Sequence, residues 1–258
     1  MKIIRFTANK YSKYLTLGLL FFFEPAFCFP PYLFRASFDI YPYYYFSNAP
    51  FTVIKTDTFS QINNRIHDKQ FHNPYGLSLS FEQSFLPKVY YAIGYSYTYT
   101  YSGAKSDIST NNGITRNLKL EDLYTNEFYT GLKYYMPSSE KPFLTYLGFD
   151  IGIAIYPQVD TVVDTLNNIN TEFGQGKLSA PYYKKNVGGM ADFNVGIAHA
   201  LQNKLYAFID IGIKVSTPLK GAGLVFPVQT RVSPEVLAVK IGNTGHVISV
   251  PLRIGILF

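Results

Sequence analysis

The chain has 258 residues, a formal charge of +6, 17% aromatic and 16% charged side chains, 23 Tyr and 22 Phe, and no Trp. That length allows one or two domains, and a charged share so far below the usual one-quarter argues against an ordinary soluble surface. No run of about 18 apolar residues occurs, which excludes a helical membrane span.

The N-terminus reads as an export signal. Lys2, Arg5, Lys10 and Lys13 form a positive region, and "YLTLGLLFFF" (14–23) is an apolar stretch of the length such signals use. "AFC" (26–28) places small residues where cleavage after Cys28 needs them. The expected division is therefore a signal peptide over 1–28 and a single unit over 29–258. Cys28 is the only cysteine, so cleavage leaves a chain without disulfides. The signal's four basic residues and Glu24 take three charges from +6, and the remaining +3 is too small to argue for nucleic acid.

Eight segments then alternate with the period of a β-strand. "LFRASFDIYPYYYF" (33–46) sets Phe34, Phe38 and Ile40 against Arg35, Ser37 and Asp39. "GLSLSFEQSF" (76–85) sets Leu77, Leu79 and Phe81 against Ser78, Ser80 and Glu82. "YYAIGYSYTYTYS" (90–102) puts Tyr91, Ile93, Tyr95, Tyr97, Tyr99 and Tyr101 on one face and small residues on the other. In "NEFYTGLKYYM" (126–136), Phe128, Leu132 and Tyr134 oppose Glu127, Gly131 and Lys133. In "FLTYLGFDIGIAIY" (143–156), Phe149, Ile151 and Ile153 oppose Gly148, Asp150 and Gly152. "VGGMADFNVGIAHAL" (187–201), "LYAFIDIGIKV" (205–215) and "VISVPLRIGILF" (247–258) place Asp192, Asp210, Lys214 and Arg253 on their small faces.

No charge falls on the apolar face of any segment. A greasy face free of charge opposite a face of glycine, serine and paired ions suits a barrel wall between lipid and a narrow lumen. Connections alternate strictly. "LPK" (86–88), "PSSEKP" (137–142) and "QNK" (202–204) are short, whereas 47–74, 103–125, 158–186 and 216–246 are long and polar. Bacterial barrels sort periplasmic turns from extracellular loops in this way. The fold expected is all-β: an eight-stranded antiparallel up-and-down transmembrane barrel with both termini periplasmic. Ten strands are the alternative, since "GLVFPVQTRV" (223–232) and "VLAVKIG" (236–242) form a further candidate pair. Pro227 and the short second piece favour a hairpin projecting above the bilayer, as do "FTVIKT" (51–56) and "DTVVDT" (160–165).

Aromatic girdles are expected at both membrane surfaces. Tyr41, Tyr43, Tyr44, Tyr45, Tyr97, Tyr99, Tyr101 and Tyr156 would mark the outer one, and Phe85, Tyr134, Phe143 and Phe258 the inner one. Arg35, Asp39, Asp150, Asp192, Asp210, Lys214 and Arg253 are expected to form a charge network that plugs the lumen, because buried charges persist only when paired.

The terminal "VPLRIGILF" (250–258) ends in Phe258, with Leu252, Ile254 and Ile256 at alternate positions before it. It resembles the last-strand signal of bacterial outer-membrane proteins, although members often carry Tyr and Gly where this chain has Ile256 and Arg253. With the export signal and eight strands, the chain resembles the small barrels typified by the OmpA transmembrane domain and the neisserial opacity proteins. That resemblance implies an outer-membrane location, contact with outer-membrane lipid and lipopolysaccharide, and recognition of the C-terminus by the barrel-assembly machinery.

Catalytic patterns are weak. His67 and His72 lie five apart in a polar loop, a poor metal spacing. His199 sits on an apolar face with no serine beside it, and His246 has no acidic neighbour. No cofactor, metal or catalytic residue is assigned. The function expected is a non-enzymatic surface protein whose loops meet a host or environmental ligand or support membrane integrity. A narrow solute channel is the alternative, then a lipid-modifying enzyme.

Overall fold

The computed structural model describes residues 30–46, 52–55, 60–63, 71–102, 105–109, 115–137, 143–166, 178–202, 204–229, 234–241 and 243–258. The region assigned to a signal peptide lies outside them, as do His67 and the turn around Lys141. The strands, in chain order, are β1 (Tyr32–Phe46), β2 (Thr52–Lys55), β3 (Ser60–Asn63), β4 (Phe71–Leu86), β5 (Val89–Ser102), β6 (Lys105–Ser109), β7 (Thr115–Leu120), β8 (Leu123–Pro137), β9 (Phe143–Tyr156), β10 (Val159–Leu166), β11 (Leu178–Lys184), β12 (Asn186–Gln202), β13 (Leu205–Ser216), β14 (Lys220–Gly221), β15 (Gly223–Gln229), β16 (Pro234–Ile241) and β17 (Val247–Leu257).

Eight of them, the eight alternating segments, close into an antiparallel barrel in the order β1-β17-β13-β12-β9-β8-β5-β4. Closure pairs every wall strand on both sides, except over part of the β1–β4 seam. Along β5, Tyr91 and Ile93 are exposed, whereas Tyr90, Ala92, Ser96, Thr98 and Thr100 are buried. The same alternation runs round the barrel. Among the described residues of these eight strands, no exposed position carries a charge. On β9 the exposed apolar positions extend from Phe143 to Ile153. At the rise and tilt of barrel strands this is a belt roughly 25 Å tall, the height of a bilayer's hydrocarbon core.

The barrel has a turn end and a loop end. The β4–β5 and β12–β13 hairpins turn tightly, with Lys88 (φ 69°) and Lys204 (φ 70°) in the left-handed region and register shifts between Ser84 and Leu86 and between Ala200 and Gln202. At the other end the connections fold into two further sheets. One has the order β14-β11-β10-β7-β6, the other β15-β16-β2-β3. The ten-strand alternative is therefore corrected. β15 and β16 pair with each other, and β16 pairs with β2, so neither enters the barrel. Pro227 inside β15 offers no N–H for a wall position, and an edge strand tolerates it.

One seam is incomplete. β1 pairs with β4 from Tyr32↔Gln83 to Ile40↔Tyr75 and no further. Beyond that level β1 follows β17 as far as Phe46↔Val247, and β4 follows β5 as far as Phe71↔Ser102. Pro42 and Pro74 lie in the two strands where they part. Each lacks the N–H that continued pairing needs, and both strands shift register there, between Ile40 and Tyr43 and between His72 and Tyr75.

Candidate functional site: the lumen and the loop-end surface

All seven residues assigned to the lumen network point inward and are buried, apart from half-buried Arg253. Glu82, Glu127 and Lys133 join them. These three already stood on the small faces of their segments, so the pattern contained them. What it could not supply was which partner each would reach across the lumen.

Arg253 is the centre of the network. It is the register partner of Asp210 on β13 and of Asp39 on β1, because all three side chains alternate inward at one depth. Its Nη1 donates to Asp210 Oδ1 at 3.2 Å, its Nη2 donates to Asp192, and its Nε lies 3.8 Å from Asp39 Oδ2. Arg35 donates to Glu82 Oε1 at 2.8 Å and to Asp210 Oδ2 at 3.0 Å. Lys214 donates to Glu127 Oε2 at 2.8 Å. Asp150 departs from expectation: its cation is Lys133, at 3.8 Å.

Six carboxylates thus face four cations. Neutral donors make up much of the difference. Ser37 and Ser78 donate to Asp39, Tyr135 to Glu82 at 2.5 Å, Tyr146 to Asp210 at 2.6 Å, and Asn194 Nδ2 to Asp150 at 3.1 Å. Close approach depends on small neighbours. A Cβ on Gly131 would strike the Asp150 carboxylate, and one on Gly212 would meet that of Asp192.

Toward the turn end the lumen is filled by large side chains, contrary to the expectation of a uniformly small interior. Leu33, Tyr90, Tyr135, Leu144, Tyr146, Ala198, Phe208 and Leu257 form one buried cluster. The Arg35 guanidinium lies 4.6 Å from the Tyr146 ring centroid and 4.2 Å from that of Phe208, so this cation is held by rings as well as carboxylates. Tyr90 closes the mouth by donating to the Pro30 carbonyl at 2.7 Å. Toward the loop end, Tyr41 and Tyr156 turn inward and are buried, which corrects their assignment to the outer girdle. Their hydroxyls have partners inside: Tyr41 with Thr98 Oγ1 and Lys214, Tyr156 with Ser216 Oγ. A buried tyrosine tip is favourable once its hydroxyl is bonded. Half-buried Tyr44 follows them part of the way, whereas Tyr43, Tyr45 and Tyr101 face outward as expected.

Between the layers a cavity of about 20 Å³ remains, bordered by Glu127, Tyr129, Lys133, Asp150 and Asp192 among others. It has room for about one water molecule.

At the loop end, Leu120, Leu123, Val159, Tyr182, Tyr183 and Leu219 are also buried. Burial, with Tyr182 and Tyr44 nearby, holds the Tyr183 hydroxyl well above its ordinary range, so it stays neutral. Leu219 and Thr244 exchange bonds within the fourth long connection, and Ala222 N donates to the Tyr182 carbonyl at 2.9 Å, joining it to the third.

Of the other sequence candidates, His199 packs edge-on against Phe143 at 4.8 Å, and His246 is exposed. His72 lies in β4. Leu252, Ile254, Ile256 and Phe258 line the outer face of β17 and its end. Phe258 exchanges two backbone bonds with Phe34 (2.7 and 2.9 Å), and their rings stack at 5.8 Å.

No family model matches the chain, and no curated protein matches it. Among solved structures the chain is similar to neisserial surface protein A, with a TM-score of 0.36, 11% identity and coverage of 87% of this chain and 95% of that one. It is similar to the outer membrane protein OprG from Pseudomonas aeruginosa, with a TM-score of 0.42, 14% identity and coverage of 86% and 94%. A third is Ail, the attachment invasion locus protein of Yersinia pestis, with a TM-score of 0.28, 12% identity and coverage of 87% and 99%. None of the three exceeds 14% identity, so what this chain does has to be sought in its own residues.

Proposed function

We propose that the chain is an integral protein of a bacterial outer membrane, exported by a cleaved signal, with both termini periplasmic and a non-enzymatic role carried by its loop-end surface. The observation that carries this reading is the closed lumen. A route through the barrel would have to displace Arg253 from three carboxylates and Arg35 from two carboxylates and two rings, and the cavity these residues border holds about 20 Å³. With the ion network and the aromatic cluster crossing the lumen, the surface free to act is the pair of sheets built by the long connections.

The charge-free belt supports membrane insertion, since unpaired charge on a lipid face costs about 2–4 kcal/mol at the midplane. The terminal strand supports recognition by the barrel-assembly machinery through Leu252, Ile254, Ile256 and Phe258. The loop sheets would meet a host or environmental ligand. Planar-bilayer recording of the refolded protein tests the reading: no steady conductance is expected. A stable ohmic conductance would overturn it in favour of the narrow-channel alternative.

A further inference from the structure

Three lysines stand together where the loop sheets meet the barrel. β11 and β14 pair Tyr183 with Gly221 and Lys184 with Lys220. Residues directly opposed on antiparallel strands share a face, with Cβ atoms about 4.5–5.5 Å apart. Tyr183 is buried and Lys184 and Lys220 are exposed, so the two ammonium groups project from the same open side. Lys185, also exposed, follows at once and leads into β12. Like charges opposed in this way destabilise the strand pair that carries them. Among the described residues none of the three forms an ion pair with a carboxylate. The acid nearby on β10, Asp160, already accepts from Gln158 Nε2 at 2.7 Å.

Their height is informative. Lys185 lies two residues before Val187, an exposed apolar residue at the loop end of β12, and Lys220 lies five residues after Val215, its counterpart on β13. At about 3.3 Å per strand residue, the lysines stand within roughly 7–17 Å of the edge of the apolar belt, on the loop side. The near end of that range falls in the headgroup layer, roughly 5–8 Å deep on each side of the hydrocarbon, and flexible lysine stems from just above it reach down to the same level. Lysine is a compact, strongly hydrated charge on a flexible stem, suited to phosphate approached from several directions.

We propose that Lys184, Lys185 and Lys220 bind the phosphate groups of an outer-leaflet lipid. The proposal rests on the outer-membrane reading above. A bound phosphate removes the repulsion between Lys184 and Lys220. It thereby strengthens the short β11–β14 pairing, which joins the third long connection to the fourth. The lipid is then part of what holds the loop surface in place.

The test uses the full chain refolded in zwitterionic detergent and titrated calorimetrically with diphosphoryl lipid A, with its dephosphorylated form and with inorganic phosphate. Insertion into phosphocholine vesicles is followed separately by heat modifiability on gels. The native protein should bind the diphosphoryl lipid. The Lys184→Gln/Lys185→Gln/Lys220→Gln variant should bind about a hundredfold more weakly or worse, at roughly 1 kcal/mol per basic residue near an anionic surface. Arginine at the three positions should retain binding, and Lys88→Gln/Lys204→Gln at the turn end should leave it unchanged. Equal binding by the glutamine variant, or equal binding of the dephosphorylated lipid, overturns the site. Inorganic phosphate binding as tightly as the lipid overturns the lipid source. Failure to insert into vesicles counts against the membrane reading instead, and is read without the calorimetry.

Discussion

Arg253 shows how unevenly one side chain can matter to its partners. Asp210 keeps Arg35 and the Tyr146 hydroxyl if Arg253 is removed, and Asp39 keeps Ser37 and Ser78. Asp192 has no other cation within ion-pair distance among the described residues. The loss from Arg253→Ala should therefore fall mainly on Asp192, as a buried carboxylate left uncompensated. Such losses run to about 3–5 kcal/mol. The midpoint at which the folded gel band disappears on heating should drop clearly. Adding Asp192→Asn should recover part of it, and adding Asp210→Asn should recover less, because Asp210 remains a partner that Arg35 needs. An unchanged midpoint for Arg253→Ala would mean that the lumen is hydrated well enough to carry the acids unaided.

At the scale of elements, the β1–β4 seam is where the wall parts. Backbone groups that leave a ladder need another partner or water. Here the parting begins near the loop-end aromatic residues, where Phe38 stacks on Tyr75 at 6.3 Å and Tyr75 lies 5.3 Å from Tyr99. On the proposed membrane reading that level is the headgroup boundary, where water satisfies an open edge that the hydrocarbon core would not tolerate. Amide hydrogen exchange in detergent should divide β1 at Ile40. Amides from Leu33 to Ile40 should be uniformly protected. From Tyr43 to Phe46, those turned toward β17 should stay protected, and those turned toward β4 should exchange at least tenfold faster. Uniform protection through Phe46 would show that β1 and β4 pair in solution beyond Tyr75.

At the scale of the whole molecule, the two ends of the barrel differ in kind. One end has tight turns around a plug of tyrosine, phenylalanine and leucine. The other has long connections folded into sheets, with a further set of buried residues. On intact cells, trypsin should cut in the loop sheets at Lys105 or Arg116, while Lys88 and exposed Lys204 at the turns should be cut only after the outer membrane is permeabilised. Cleavage at Lys204 in intact cells would invert the topology. Strand edges at β3, β6, β14 and β15 lie in the loop sheets, which the proposed topology puts outside the membrane, where water can satisfy their backbone groups.

The eight wall strands were legible in the sequence because a β-strand sorts side chains by parity. Lipid permits no charge on one parity, so Tyr91 to Tyr101 and Ile209 to Ile213 declared their face without any knowledge of their neighbours. The meeting of Arg253 with Asp210 was legible for a related reason: each lies a few residues from the turn-side end of its strand, so the two neighbouring strands share a depth scale counted from that end. Other features depended on shear and closure, which bring residues far apart in the chain to one level. Glu82 beside Arg35 and the inward turn of Tyr41 and Tyr156 toward hydroxyl partners are of this kind. So is the pairing of β16 with β2, from opposite ends of the chain. The opposition of Lys184 and Lys220 likewise exists only in the folded molecule, where two loops share a strand pair that neither could form alone. Alternation is a property of each strand by itself, whereas partners across a lumen and between loops are properties of the closed surface.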